Sequence, residues 1–192
     1  MVKIGFIVEG FTEKIILESE NFKSFAKKNG IEICNPIQNA QGGGNLLPNN
    51  IIPYVKNLKK NNAKHIVILT DLENETNVAV VKNRIGSAHT NLIFVAVKAI
   101  EAWFLADTQA LRSWLKKDNV FEAHPERTPD MPWEFLKSLA QQHQSRGPGS
   151  SKTAFAKQMC QRHSFDLSRA AQHPACPSVK EFHDELLKLG GV

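Results

Sequence analysis

Carboxylates follow three of the apolar runs in the first half of this chain. Glu9-Gly10-Phe11-Thr12-Glu13 comes directly after Lys3–Val8, Asp71-Leu72-Glu73-Asn74-Glu75 after His65–Thr70, and Lys98-Ala99-Ile100-Glu101 after Asn91–Val97. Carboxylates gathered in one place repel one another unless a cation neutralises them. Oxygen donors with no Cys or His among them favour Mg²⁺ or Mn²⁺ over zinc. Such an ion retains coordination positions for phosphate oxygens, polarises a phosphoryl group and activates water for in-line attack. The same acids also suit a plainer task. Thr12 with Glu13 would open a helix, and Asp71 would cap the next one.

Whether the acids meet depends on the elements that carry them. Lys3–Val8, Ile31–Cys34, His65–Thr70 and Asn91–Val97 are short, β-rich apolar runs. Between them, Thr12–Asn29, Leu47–Asn62 (opening near Pro48) and Thr76–Ile85 carry helical apolar spacing. Strand–helix alternation of this kind predicts an α/β fold: a mainly parallel four-stranded sheet, Rossmann-like, with helices on both faces. In such a sheet function gathers just beyond the carboxyl ends of the strands, where the three acidic segments begin. After Val97 the strand signal stops. Ile100, Trp103, Phe104, Leu111, Trp114 and Leu115 form a helical stripe, followed by Trp133, Leu136 and Ala140, then Val179, Phe182, Leu186 and Leu189. Residues 1–107 therefore read as the α/β core and 108–192 as a helical C-terminal region packed on it, most simply as one unit. Asn119–Pro132 and Ser145–Ser151 read as loops.

The 192 residues suit a single core, and 42% apolar with 22% charged residues excludes a disordered or low-complexity chain. The formal charge of +5 is mild, but it is unevenly placed. Between Lys137 and Lys180 seven basic residues face a single acid, Asp166. That stretch is either a solvated helical surface or one that faces phosphate. Three cysteines, Cys34, Cys160 and Cys176, are too few and too odd in number for a disulfide framework, which indicates a reducing cytoplasm. The opening run is interrupted by Glu9 too early for a signal peptide. No later run approaches membrane-spanning length.

Val8-Glu9-Gly10-Phe11-Thr12-Glu13 after an opening strand, with Leu69-Thr70-Asp71-Leu72-Glu73 after a later one, resembles the Toprim fold of topoisomerases, primases and OLD-type nucleases. Ile100-Glu101-Ala102-Trp103-Phe104-Leu105-Ala106-Asp107, Ser151-Lys152-Thr153 and Cys176-Pro177-Ser178-Val179-Lys180-Glu181-Phe182 further resemble an uncharacterised prokaryotic Toprim-like branch with RloG-type proteins, domain of unknown function 4276. The resemblance implies Glu9 as general acid or base, Asp71 and Glu73 as ligands of one or two Mg²⁺ or Mn²⁺ ions, and Glu101 as a further ligand. Glu13 and Asp107 would stand behind them. Lys152, by analogy with OLD-type nucleases, would face transition-state phosphate charge, and Gly10, Arg146 and Lys157 would line the phosphate path. Glu73 departs from the D-x-D pair of the superfamily by one methylene, which shifts the spacing of two ions. The implied activity is a metal-dependent phosphodiesterase, a nuclease of DNA or RNA, in a prokaryotic defence setting with an ATPase partner subunit; a homodimer is compatible. The alternative is a non-catalytic nucleic-acid-binding or ATPase-partner regulatory module on the same fold.

Other motifs point elsewhere. Gly147-Pro148-Gly149-Ser150-Ser151-Lys152-Thr153 is not a P-loop, since Ser151 and Arg146 occupy the places of its two required glycines. Gln41-Gly42-Gly43-Gly44-Asn45 after the second strand is either a flexible loop or a close backbone approach to phosphate. Cys160 and His163, with His173 and Cys176, make two pairs of zinc-competent side chains, although a free Cys beside Met159 on a helix also reads as a small buried hydrophobe. Trp103, Trp114 and Trp133 sit at helical apolar positions and read as core; an exposed one could stack on a base.

Overall fold

The computed structural model describes residues 1–191. Four strands, β1 (Val2–Val8), β2 (Ile31–Asn39), β3 (His65–Asp71) and β4 (Ile93–Ala96), form one sheet in the order β2-β1-β3-β4, with every pair parallel. Alternate residues divide between two cores, as the strand period requires. Phe6, Val8, Val67, Leu69, Phe94 and Ala96 face one layer, while Ile7, Ile66, Ile68, Ile93 and Val95 face the other. The second layer is closed by α3 (Ile52–Lys60) and α4 (Val78–Ile85) through Val55, Leu58, Val81 and Ile85.

The first layer is thicker. It takes in α1 (Phe11–Leu17), α2 (Glu20–Lys28) and the helices after the sheet: α5 (Glu101–Ala106), α6 (Thr108–Leu115), α7 (Pro132–Gln142), α8 (Lys152–Arg162), α9 (Leu167–Ala171) and α10 (Pro177–Gly190). Phe182 of α10 packs on Phe22, Phe94 and Trp103, so the last helix lies against the sheet. Its end comes very close to the turn before β2. A Cβ on Gly190 would sit 1.9 Å from the carbonyl oxygen of Asn29, a distance only glycine allows.

Besides end shifts of one or two residues, such as those at β3, α4 and β4, three boundaries differ from the sequence reading. The expected helix over Thr12–Asn29 is two helices, because Ser19 breaks it; its hydroxyl accepts from the Phe22 N–H at 3.3 Å and donates to the Ile16 carbonyl at 2.7 Å. The third helix begins at Ile52 rather than near Pro48, after a single 3₁₀ turn at Gly43–Leu46. β2 runs five residues past Cys34, through Pro36. As an edge strand it tolerates proline, and its pairing skips from Gly5–Cys34 to Ile7–Gln38. No helix among the described residues is long and apolar enough to cross a membrane.

Candidate active site

β1 and β3 are neighbours with Val8 paired to Leu69, so the residues that follow leave the sheet at the same edge. Glu9 is fixed there. Its N–H donates to the Leu69 carbonyl at 3.0 Å, and its Oε2 accepts from the Thr70 hydroxyl and from the Asp71 N–H at 3.2 Å. Asp71 pairs with Ala96 of β4, and the chain beyond that strand turns back so that the Ile100 N–H donates to Asp71 Oδ1 at 2.8 Å. Asp71 therefore caps the entrance of α5, not the helix that follows it in sequence. The next residue, Glu101, is buried in the first turn of α5, and Glu13 is buried in the first turn of α1.

These four acids act on one another. Burial pushes the Asp71 carboxyl well above the usual carboxylate range, and the charges of Glu13, Glu101 and Glu9 push it further, against the Ile100 hydrogen bond. Glu13 is pushed up to about 7, first by burial and then by Glu9 and Glu101, against hydrogen bonds from the backbone. A cluster of this kind draws in protons or cations at neutral pH. Lys152, the first residue of α8, supplies one positive charge, with Nζ 3.1 Å from Glu101 Oε1. The other oxygen, Glu101 Oε2, is buried with no hydrogen-bond partner. Buried polar atoms are nearly always paired, so this one marks a place where a group is wanted.

The acids line a cavity of about 470 Å³ that also holds Gly10, Lys152, Gln41, Gly42 and the exposed ring of Phe11. Glu73 reaches it only from the rim. Its backbone is left-handed (φ 50°), its N–H donates to the Lys98 carbonyl at 2.7 Å, and its side chain is exposed. Glu13, which the sequence placed behind the ligands, is a buried carboxyl of the interior. Among the described residues no three His, Cys, Asp or Glu side chains are gathered tightly enough to share an ion as they stand. The acids form an electrostatic cluster rather than a closed coordination shell.

Several expected residues lie elsewhere. Asp107 is fully buried but turned away: it receives two hydrogen bonds from Arg169 (2.9 and 2.8 Å), one from the Asp166 N–H (2.8 Å) and one from the Ala110 N–H (3.2 Å). Arg146 is exposed beside Trp114–Lys117, and Lys157 is exposed on α8; neither lines the acidic cavity. The structure does not unite the zinc-competent residues either. His163 contacts Ser113 and Gln158, while His173 contacts the Glu122 carbonyl and the Ala175 N–H. Burial pushes the Cys160 thiol up to about 12, and Cys176 lies against the buried Glu126.

Two neighbours complete the site: Gly43, from the glycine run that the sequence singled out, and Arg84, which the sequence did not mark. A Cβ on Gly43 would lie 3.2 Å from Glu9 Oε1 and 3.7 Å from an Arg84 terminal nitrogen, so Gly43 lets a carboxylate and a guanidinium approach the same point. The Gly42–Gly44 run signalled a close approach but not to what. Arg84 sits in the last turn of α4 with Glu75 2.6 Å away, a pairing that only the fold creates.

A protein-family model described as a domain of unknown function (DUF4276) matches residues 8–187. The chain belongs to this family. The matched span of the DUF4276 chain opens on the last residue of β1 and closes inside α10, so it contains every residue that lines the acidic cavity. No curated protein and no solved structure matches.

Proposed function

We propose that this DUF4276 protein is a metal-dependent phosphodiesterase of Toprim-like type, a nuclease of DNA or RNA. The observation that carries the reading is the meeting of Glu9, Glu13, Asp71 and Glu101 in one cavity, with one Glu101 oxygen buried and unpartnered. This donor set fits Mg²⁺ or Mn²⁺, because it is all oxygen and its excess negative charge already raises two of its proton affinities. Asp71 and Glu101 would hold one ion, and Glu73 at the rim would complete that shell or help to hold a second. A bound ion supplies Lewis-acid polarisation of the phosphodiester and a more acidic water.

The chain's own groups do the rest. Glu9, clamped through Oε2, presents Oε1 beside the bare backbone of Gly43 and moves the proton of the attacking or leaving oxygen. Lys152, half exposed, has an ammonium free to turn from Glu101 towards phosphate charge. A prokaryotic defence role with an ATPase partner belongs to the same reading through the motif resemblance.

Purified protein incubated with plasmid DNA and with RNA, in Mg²⁺, Mn²⁺ or EDTA, tests this directly. Cleavage is expected with either metal and absent in EDTA, and Glu9→Gln is expected to lose about a hundredfold or more. Identical behaviour of wild type and Glu9→Gln on every substrate and metal defeats the proposal.

The Lys152–Glu101 pair favours a second reading, in which a protein cation neutralises the cluster and the domain binds nucleic acid or an ATPase without cutting. Calorimetry separates the two. Mn²⁺ binding that is weakened in Asp71→Asn supports the enzyme; no Mn²⁺ binding with retained nucleic-acid binding supports the module.

A further inference from the structure

Of the eleven phenylalanines in the chain, Phe11 and Phe121 are the two that expose large apolar surface, and each lines a cavity. Phe11 belongs to the acidic cavity described above. Phe121 lines a larger one, about 780 Å³, at the opposite end of α5. Six residues of helix separate Glu101 from Asp107, a rise of about 9 Å.

The Phe121 cleft is built unlike a solvent pocket. The ring is 54% exposed, yet one face lies on His173, with ring centroids 5.1 Å apart and planes 18° from parallel. His173 is itself buried and held by the Glu122 carbonyl at 2.8 Å and the Ala175 N–H at 3.1 Å, so it is a fixed backing. Two cations line the same cleft. Arg112 donates from Nε to the Val120 carbonyl at 2.8 Å, which anchors the residue before Phe121 and leaves both terminal nitrogens without a partner among the described residues. Lys116 has no acidic partner within salt-bridge reach among them. His163 senses this flank: burial, then the charges of Arg162 and Lys116, hold its imidazole below the ordinary value. Gln109 and Gln172 line the same cleft with amides that both donate and accept.

A flat apolar face braced from behind, beside two free cations and two amides that outweigh the one carboxylate of the lining unpaired among the described residues, Asp118, suits a π-system carrying a phosphate. We propose that this cleft binds an unpaired nucleotide, with its base on Phe121 and its phosphate against Arg112 and Lys116. Duplex does not fit, because its bases present no free face. The nucleotide could belong to a single strand or be free in solution. The single-strand case deepens the nuclease reading by naming its substrate, and it rests on that reading only there.

Fluorescence anisotropy in EDTA tests binding apart from any cleavage. The probes are fluorescein-labelled oligo(dT) and oligo(U) of about twelve nucleotides and a duplex of matching length, with AMP and inorganic phosphate as competitors. Wild type is expected to prefer single strand to duplex. Phe121→Ala should weaken that binding about tenfold, and Phe121→Tyr should restore it to within about twofold. Lys116→Ala should lower the slope of log affinity against log salt by about 0.7. If a fluorescein-labelled AMP, added as a further probe, binds in a Phe121-dependent way while the oligonucleotides do not bind, the source is the free nucleotide; oligonucleotide binding that AMP does not displace assigns the strand. Unchanged affinity for every probe in Phe121→Ala, with the fold intact by circular dichroism, overturns the proposal. So does phosphate competing as well as AMP, which would leave only an anion site.

Discussion

Glu13 is a carboxyl on which pH acts near neutrality. Its folded value of about 7 lies above the ordinary 4.5, so folding favours the protonated acid. Below about pH 4.5 both states hold the proton and the stabilisation is complete. Through the window from about 4.5 to 7 the unfolded chain ionises first, and stability falls as pH rises. The loss is on the order of 3 kcal/mol by pH 8, and Asp71, also raised, adds to it with the same sign. Urea midpoints of the wild type are therefore expected to fall between pH 5 and pH 8, with a flatter profile in Glu13→Gln; equal slopes would remove Glu13 as the cause. Gly43 offers a second test at this scale. A side chain there meets Glu9 Oε1, while Gly44 faces open space. Gly43→Val should displace Glu9 and lower the proposed nuclease activity by about a hundredfold, whereas Gly44→Val should leave that activity near wild type. The sequence already put Glu9, Asp71 and Glu101 after strands, since the edge of a parallel sheet follows from local pattern. It could not show that Glu73 stays exposed at the rim, on a left-handed backbone bound to Lys98, while Glu13 is buried.

The short helix α5 organises the site at the scale of elements. Asp71 caps its start, Glu101 opens it and Asp107 closes it. Asp107 holds α6 through Ala110 and α9 through Arg169 and the Asp166 N–H, so one carboxylate joins three helices. Losing this carboxylate leaves Arg169, itself about a third exposed, and two backbone N–H groups without their acceptor, and costs about 2–3 kcal/mol. Asp107→Ala is expected to lower the urea midpoint by a corresponding amount while leaving Mn²⁺ binding at the proposed site unchanged per folded molecule. A loss of metal affinity with unchanged stability would return Asp107 to the site. Most elements were readable from periodicity, which is local. The failures are places where apolar spacing is silent: Ser19 splits one helix into two through its own bonds to Ile16 and Phe22, and β2 passes through Pro36 because its outer edge has no neighbour to pair.

Across the whole molecule, pairing redistributes the charge. Lys137, Lys152, Arg169 and Lys180 meet Glu134, Glu101, Asp107 and Asp184. The basic last third therefore presents fewer free cations than its composition suggests, and Arg112 and Lys116, outside that stretch, matter more. The same long-range pairing argues that the sheet and the C-terminal helices unfold together. Phe22, Phe94 and Trp103 come from different parts of the chain, yet all pack on Phe182, and Gly190 seats the end of α10 against the turn before β2. Removing α10 would uncover one face of the sheet and leave those rings in water. Scanning calorimetry is expected to show one transition with equal calorimetric and van't Hoff enthalpies. Phe182→Ala should destabilise the whole by about 3–5 kcal/mol, and residues 1–176 alone should lose near-ultraviolet dichroism and bind a hydrophobic dye. Two transitions, with a folded 1–176 fragment, would instead make α10 a separable cover and confine the cooperative unit to the sheet and the helices that precede it.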